Sequence, residues 1–137
     1  MSKLKLFFCM VAIVILFGAS QKSFAQNGPV MYFCSSYGSS GEIDISDRFT
    51  TGYLTVMVKC DYALGLSDCN IQFDKFNNST NKFDYYKKFP YTVSPDMKYI
   101  YFASDDLSFD KPGIYRVFLL DKQDRTVASA LIEIIKK

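Results

Sequence analysis

The chain has 137 residues, with 16 basic and 14 acidic side chains, four cysteines and neither histidine nor tryptophan. Its length suits one domain, and an apolar content of 49% excludes an intrinsically disordered chain. Because histidine is the commonest general base and zinc ligand, we expect no metal site, no cofactor and no histidine-based catalysis. Ten tyrosines and thirteen phenylalanines favour a β-rich fold, since large flat side chains suit half-buried pleated surfaces.

Residues 1–25 have the pattern of a secretory signal peptide. Lys3 and Lys5 precede an apolar run over 6–17, and the segment ends in Ser23-Phe24-Ala25, whose small residues suit a signal peptidase. The alternative is a permanent membrane helix, but the run is shorter than the ~20 residues that span a bilayer. We therefore expect cleavage after Ala25, and a mature domain over 26–137 that is periplasmic or extracellular and not inserted in the membrane.

Loss of the signal peptide removes three lysines and leaves 13 basic and 14 acidic side chains. A nearly neutral domain has no strong electrostatic attraction to phosphate backbones. We expect no nucleic-acid partner.

Three cysteines remain in the mature chain, and thiols in an oxidising compartment tend to pair. Cys60 and Cys69 each share the apolar face of a predicted strand, so we predict a Cys60–Cys69 disulfide that leaves Cys34 as a free thiol. Pairing of Cys34 with either of the other two, or three buried free thiols, remain open alternatives. A catalytic cysteine is disfavoured, because the chain has no histidine to stabilise a thiolate.

Apolar residues alternate in short segments separated by turn residues, which predicts seven or eight strands and no helix. The predicted strands cover residues 30–34, 42–45, 53–60, 69–76, 83–93, 99–103, 114–121 and 126–135. Residues 35–41 are expected to form a flexible connection, and Ile43 and Ile45 to point inward. Pro90 is expected at an edge or bulge, because proline cannot donate to a strand ladder. The pattern predicts one antiparallel β-sandwich.

The segment from Phe109 to Asp121 reads FDKPGIYRVFLLD. It resembles the penultimate strand of immunoglobulin-like domains in bacterial exported envelope proteins, which a P-G-x-Y-x-V run enters. Together with the final strand, the resemblance covers about 28 residues and implies an immunoglobulin-like β-sandwich over 26–137. It also implies that Tyr115 forms a tyrosine corner, with its hydroxyl bonded back to the preceding loop. Such domains carry adhesion, carbohydrate-binding, chaperone and spacer roles, so the resemblance implies a fold and not an activity.

An aromatic segment around Pro90 is the candidate partner-binding site, and it contains Tyr85, Tyr86, Phe89 and Tyr91. Exposed tyrosines stack on sugar rings or anchor protein partners at a small entropic cost. The alternative is that half of these rings alternate into the core.

The acidic run over 105–110 lacks the alternating spacing of a calcium loop, so a solvated turn explains it better. No pair of carboxylates is singled out for catalysis. We therefore predict a non-enzymatic binding module that recognises a protein or glycan in the bacterial envelope. A structural or accessory subunit of an envelope assembly is the alternative, and an enzyme is a distant third.

Overall fold

The computed structural model describes residues 28–137, and the predicted signal peptide lies outside this range. The described residues are all-β, with eleven strands and no helix. From residue 28 onward, the chain therefore has no helix of the length and apolarity that crossing a membrane requires. The strands are β1 (Val30–Gly38), β2 (Gly41–Ile45), β3 (Arg48–Thr50), β4 (Gly52–Tyr53), β5 (Thr55–Lys59), β6 (Asp68–Asn77), β7 (Lys82–Thr92), β8 (Tyr99–Phe102), β9 (Ser108–Phe109), β10 (Gly113–Asp121) and β11 (Thr126–Ile135).

The strands form two larger sheets and one small pair. The four-stranded sheet has the order β2-β1-β5-β8, and all its neighbours are antiparallel. The five-stranded sheet has the order β3-β11-β10-β6-β7 and is antiparallel except for β3, which runs parallel to β11. Strands β4 and β9 pair only with each other. The parallel β3–β11 pair departs from the all-antiparallel expectation.

Buried side chains from both larger sheets form one apolar core. They include Phe33, Val56, Val58, Ile100 and Phe102 from the first sheet and Ile71, Phe73, Val117, Leu119, Ile132 and Ile134 from the second. Phe109 stacks on Phe73, with ring centroids 4.4 Å apart, and so brings the short β4–β9 pair into the same core. Each such phenylalanine contributes about 1.5–3 kcal/mol when fully buried.

Several local predictions are confirmed. Strand β11 has the predicted bounds, and β10 pairs with it so that Tyr115, Val117 and Leu119 face Ile132, Ala130 and Ala128. Pro90 lies in β7, the edge strand of its sheet, where a missing donor is tolerated.

Two predictions for residues 35–45 are wrong. Strand β1 continues to Gly38 and forms a tight hairpin with β2, instead of ending in a flexible connection. Ile43 and Ile45 are exposed and do not point inward. Strand β2 is an edge strand, and Asp44 has a left-handed φ of 53°, which breaks the alternation on which the inward assignment depended.

The number of strands exceeds the predicted seven or eight. The additional strands β3, β4 and β9 are only two or three residues long. Segments this short carry no measurable alternation, so a period of two cannot reveal them.

Candidate functional site

The structure places most of the predicted aromatic segment against the core. The ring of Phe89 packs edge-to-face on Phe73, at a centroid distance of 5.8 Å. Tyr91 packs in the same manner on Phe102 at 5.1 Å, and its hydroxyl forms a 2.9 Å hydrogen bond with the Ser104 hydroxyl. Burial raises the pKa of the Tyr91 hydroxyl. These two rings therefore stabilise the fold.

Tyr86 and Tyr85 lie at a bulge in β7. The register shifts so that Tyr86 has no partner across the ladder, and its ring packs edge-to-face on Tyr115 at 5.6 Å. Tyr85 is 64% exposed, whereas the other three rings of the segment are half-buried. Both tyrosines line a pocket of about 440 Å³ that also includes Lys75 and Lys111.

Tyr115 forms the hydrogen bond that a tyrosine corner requires. Its hydroxyl donates to the backbone carbonyl of Lys111, four residues upstream, at 2.6 Å. The side chain is fully buried, and burial raises the pKa of the hydroxyl. The bond ties the loop before β10 to the strand itself.

The three cysteines of the described chain are buried free thiols, so the predicted Cys60–Cys69 disulfide is not formed. Cys60 follows β5 in the four-stranded sheet, whereas Cys69 lies in β6 of the other sheet. The Cys69 thiol donates to the carbonyl of Tyr91 at 3.6 Å, and burial, with a smaller effect of Asp68, raises its pKa to about 11. Burial also raises the pKa of Cys34. At neutral pH the Cys69 thiol is protonated and therefore a poor nucleophile.

In the acidic run over 105–110, the Asp110 carboxylate is bonded to other side chains of the chain. The carboxylate of Asp110 accepts hydrogen bonds from the Lys87 ammonium at 2.7 Å and from the Ser108 hydroxyl at 3.2 Å. The bond from Lys87 lowers the pKa of Asp110. No group of three or more metal-ligating side chains gathers anywhere within residues 28–137.

A second candidate site, which was not predicted from the sequence, lies on the outer face of the four-stranded sheet. We call it the tyrosine patch, and it consists of four tyrosines and one glutamate, namely Tyr32, Tyr37, Tyr99, Tyr101 and Glu42. Tyr32 stands between the inward-facing Met31 and Phe33, and Tyr99 and Tyr101 flank the inward-facing Ile100. Strand alternation therefore directs these tyrosines outward.

The tyrosine patch covers the centre of its sheet. Met57 is the cross-strand partner of both Tyr32 and Tyr101, and it is 0% exposed although it points away from the main core. The rings of Tyr37 and Tyr101 stack with centroids 4.6 Å apart, and Tyr37 meets Tyr99 edge-to-face at 5.9 Å. Tyr37 thus covers one face of the Tyr101 ring, and Tyr101 remains 56% exposed.

Glu42 is the electrostatic centre of the tyrosine patch. One of its carboxylate oxygens accepts hydrogen bonds from the hydroxyls of both Tyr32 and Tyr99. These bonds lower the pKa of Glu42 to about 2. Burial raises the pKa of Tyr32, whereas the bond to Glu42 is the main cause of the raised pKa of Tyr99. The Lys59 ammonium lies 5.8 Å from the centroid of the Tyr99 ring.

The tyrosine patch thus combines an exposed aromatic ring, an acceptor that is ionised at neutral pH and a nearby ammonium donor. Its sequence signal is Tyr32, Tyr99 and Tyr101 at outward positions of two alternating strands, but only the sheet order shows that β1 and β8 flank the same strand. No protein-family model matches the chain, and no curated protein matches it. Evidence for a function therefore comes from the geometry of the tyrosine patch.

Proposed function

We propose that the chain is an exported immunoglobulin-like β-sandwich module that binds an envelope ligand, foremost a glycan, without catalysing a reaction. The immunoglobulin-like assignment is supported by one apolar core that is shared between two sheets of order β2-β1-β5-β8 and β3-β11-β10-β6-β7. It is further supported by the hydrogen bond from Tyr115 to Lys111. Because this fold carries many functions, it does not by itself indicate a binding role, and support for that role comes from the exposed side chains of the tyrosine patch.

The observation that carries the proposal is the exposed Tyr101 ring, stacked on Tyr37 beside the Glu42 carboxylate. The C–H face of a pyranose ring packs against the electron-rich face of an aromatic ring, as other partially positive edges do. Sugar hydroxyls donate well to a carboxylate, and Glu42 is ionised at every pH above its pKa of about 2. Tyrosine also loses little conformational entropy on binding, since it has two side-chain torsions.

A glycan array probed with the mature chain tests this proposal. We expect binding to a hexopyranose-containing glycan. We expect Tyr101→Ala to weaken it at least about fivefold, if a sugar ring stacked on tyrosine contributes as a stacked nucleobase does, about 1–3 kcal/mol. Tyr53→Ala is the matched control, since Tyr53 is also more than half exposed but lies in the separate β4–β9 pair. Tyr53→Ala should keep the wild-type melting temperature. Tyr101→Ala should lower it, because the Tyr101 ring stacks on Tyr37 and lies beside Met57, so binding is compared at a temperature at which circular dichroism shows both variants folded.

Two results would contradict the proposal. Glycan binding that survives Tyr101→Ala would remove the tyrosine patch as the site. An array without any bound glycan, together with crosslinking to an envelope protein that depends on Tyr101, would make the ligand a protein and not a glycan.

A further inference from the structure

One row of side chains crosses the outer face of the five-stranded sheet. Tyr85 is paired with Asp74, Asp74 with Arg116, and Arg116 with Leu131, so that the row spans β7, β6, β10 and β11. Residues directly opposite one another in antiparallel strands share one face of the sheet. We call these four residues the cross-sheet row. Its two ends, Tyr85 and Leu131, are apolar or aromatic and largely exposed, and Leu131 is 53% exposed.

The two central residues carry opposite charges that the described chain leaves unpaired. The Arg116 guanidinium lies over the ring of Phe83 at 4.5 Å, instead of pairing with the neighbouring Asp74. The Asp74 carboxylate accepts a hydrogen bond only from the Gln72 amide, at 2.8 Å. Within residues 28–137, all four ion pairs involve other side chains. Two opposite charges without an ion-pair partner in the described chain are available to pair with the complementary charges of a second molecule.

We propose that the cross-sheet row is the interface of a two-fold symmetric dimer, in which Asp74 of each copy pairs with Arg116 of the other. A two-fold axis that lies in the interface, parallel to the strands and between β6 and β10, reverses the order of the row. Asp74 then meets the partner's Arg116, and Tyr85 meets the partner's Leu131. The row is therefore complementary to itself, which is what a closed two-fold interface requires.

The size of the face fits a dimer of moderate affinity. The four long strands have nine to eleven residues each. With a strand spacing of about 4.8 Å and a rise of about 3.3 Å per residue, they present roughly 600 Å² per copy. Stable interfaces bury about 800 Å² per partner on average, so this one lies at the lower end of the standard range. We therefore expect a dimer that dissociates on dilution.

Analytical ultracentrifugation of the mature chain over a concentration series tests this interface. Reversal of each of the two central charges in turn shows whether Asp74 and Arg116 pair across it. The wild type is expected to pass from monomer to dimer as the concentration rises. Asp74→Arg and Arg116→Asp should each raise the dimer Kd more than about tenfold, because like charges then face each other across the axis. An equimolar mixture of these two variants should dimerise again, since every pair across the mixed interface is then complementary.

Lys59→Glu on the opposite sheet is the control charge reversal and should leave the dimer unchanged. Circular dichroism establishes that each variant is folded, and Leu131→Arg gives a further test if a central charge reversal destabilises the monomer. A wild type that stays monomeric throughout the series would overturn the proposal. A dimer that persists in folded Asp74→Arg or Leu131→Arg protein would do so as well, as would a mixture of folded variants that fails to associate.

Discussion

The outer faces of the two larger sheets use their aromatic side chains differently. On the four-stranded sheet, the tyrosine patch buries Met57 completely, and its hydroxyls bond to Glu42. On the five-stranded sheet, Arg116 lies across Phe83, and neither Arg116 nor Asp74 forms an ion pair within residues 28–137. On the first face, the charge of Glu42 is stabilised by two tyrosine hydroxyls, and the Tyr101 ring is exposed. On the second face, two opposite charges have no ion-pair partner within residues 28–137.

This difference shows that strand alternation determines which face of the sheet a side chain points to, but not whether the side chain is buried there. Met57 and Arg116 both point outward from a central strand of their sheet. Met57 is nevertheless buried, because side chains from two flanking strands close over it, whereas Arg116 stays exposed. The four-stranded sheet therefore has a small second core on its outer side.

The largest expected effect tests this second core. Met57→Ala should lower the free energy of unfolding by about 2–5 kcal/mol, because truncation of a fully buried methionine leaves a cavity. Leu131→Ala on the other face is the control and should change it by no more than about 0.5 kcal/mol. Urea titration of dilute protein measures both changes. Equal losses of unfolding free energy in Met57→Ala and Leu131→Ala would contradict the claim that only the four-stranded sheet has a buried side chain of this kind on its outer face.

A smaller effect is expected from Tyr115, which lies in the core between the two faces. Tyr115→Phe removes the hydrogen bond to the Lys111 carbonyl and should cost about 1 kcal/mol of unfolding free energy. Glycan binding and dimerisation should both persist, because the substitution touches neither outer face. An unchanged unfolding midpoint would show that the bond does not stabilise the loop before β10.

The smallest expected effect is on stability in acid, where Glu42→Gln isolates the contribution of Glu42 from that of the other carboxylates. The pKa of Glu42 is about 2 in the folded chain, whereas that of an unperturbed glutamate is 4.5. The hydrogen bonds to the Glu42 carboxylate therefore stabilise the fold fully above pH 4.5. That contribution is lost as the pH falls from 4.5 towards 2, when the carboxylate is protonated. The melting temperature of the wild type should therefore fall more steeply over this range than that of Glu42→Gln. Parallel curves would mean that the tyrosine hydroxyls do not stabilise the ionised carboxylate.

Alternation in the sequence predicted the all-β class, the bounds of β11 and the pairing of its inward face with β10. Pro90 was predicted at an edge because its missing donor is a property of the residue itself. These features depend on local chemistry, which the sequence contains directly. The exposed positions of Ile43 and Ile45 could not be predicted in this way, because they follow from the edge location of β2 and the left-handed Asp44.

The candidate site was harder to predict than the fold. Tyr32 and Tyr99 are 67 residues apart, and only the sheet order brings both hydroxyls to Glu42. The aromatic segment around Pro90 was conspicuous because its rings are close in sequence, but three of its four rings pack against the core. Proximity along the chain was therefore a poor guide to a shared surface.

The most direct test of the binding role is an NMR titration of the mature chain with soluble oligosaccharides released from bacterial envelopes. If the tyrosine patch binds a glycan, we expect saturable shifts of the ring and backbone signals of Tyr32, Tyr37, Tyr99 and Tyr101, with little change at Tyr85 or Tyr86. Shifts confined to the pocket beside Tyr85, or no shifts with any oligosaccharide, would contradict it.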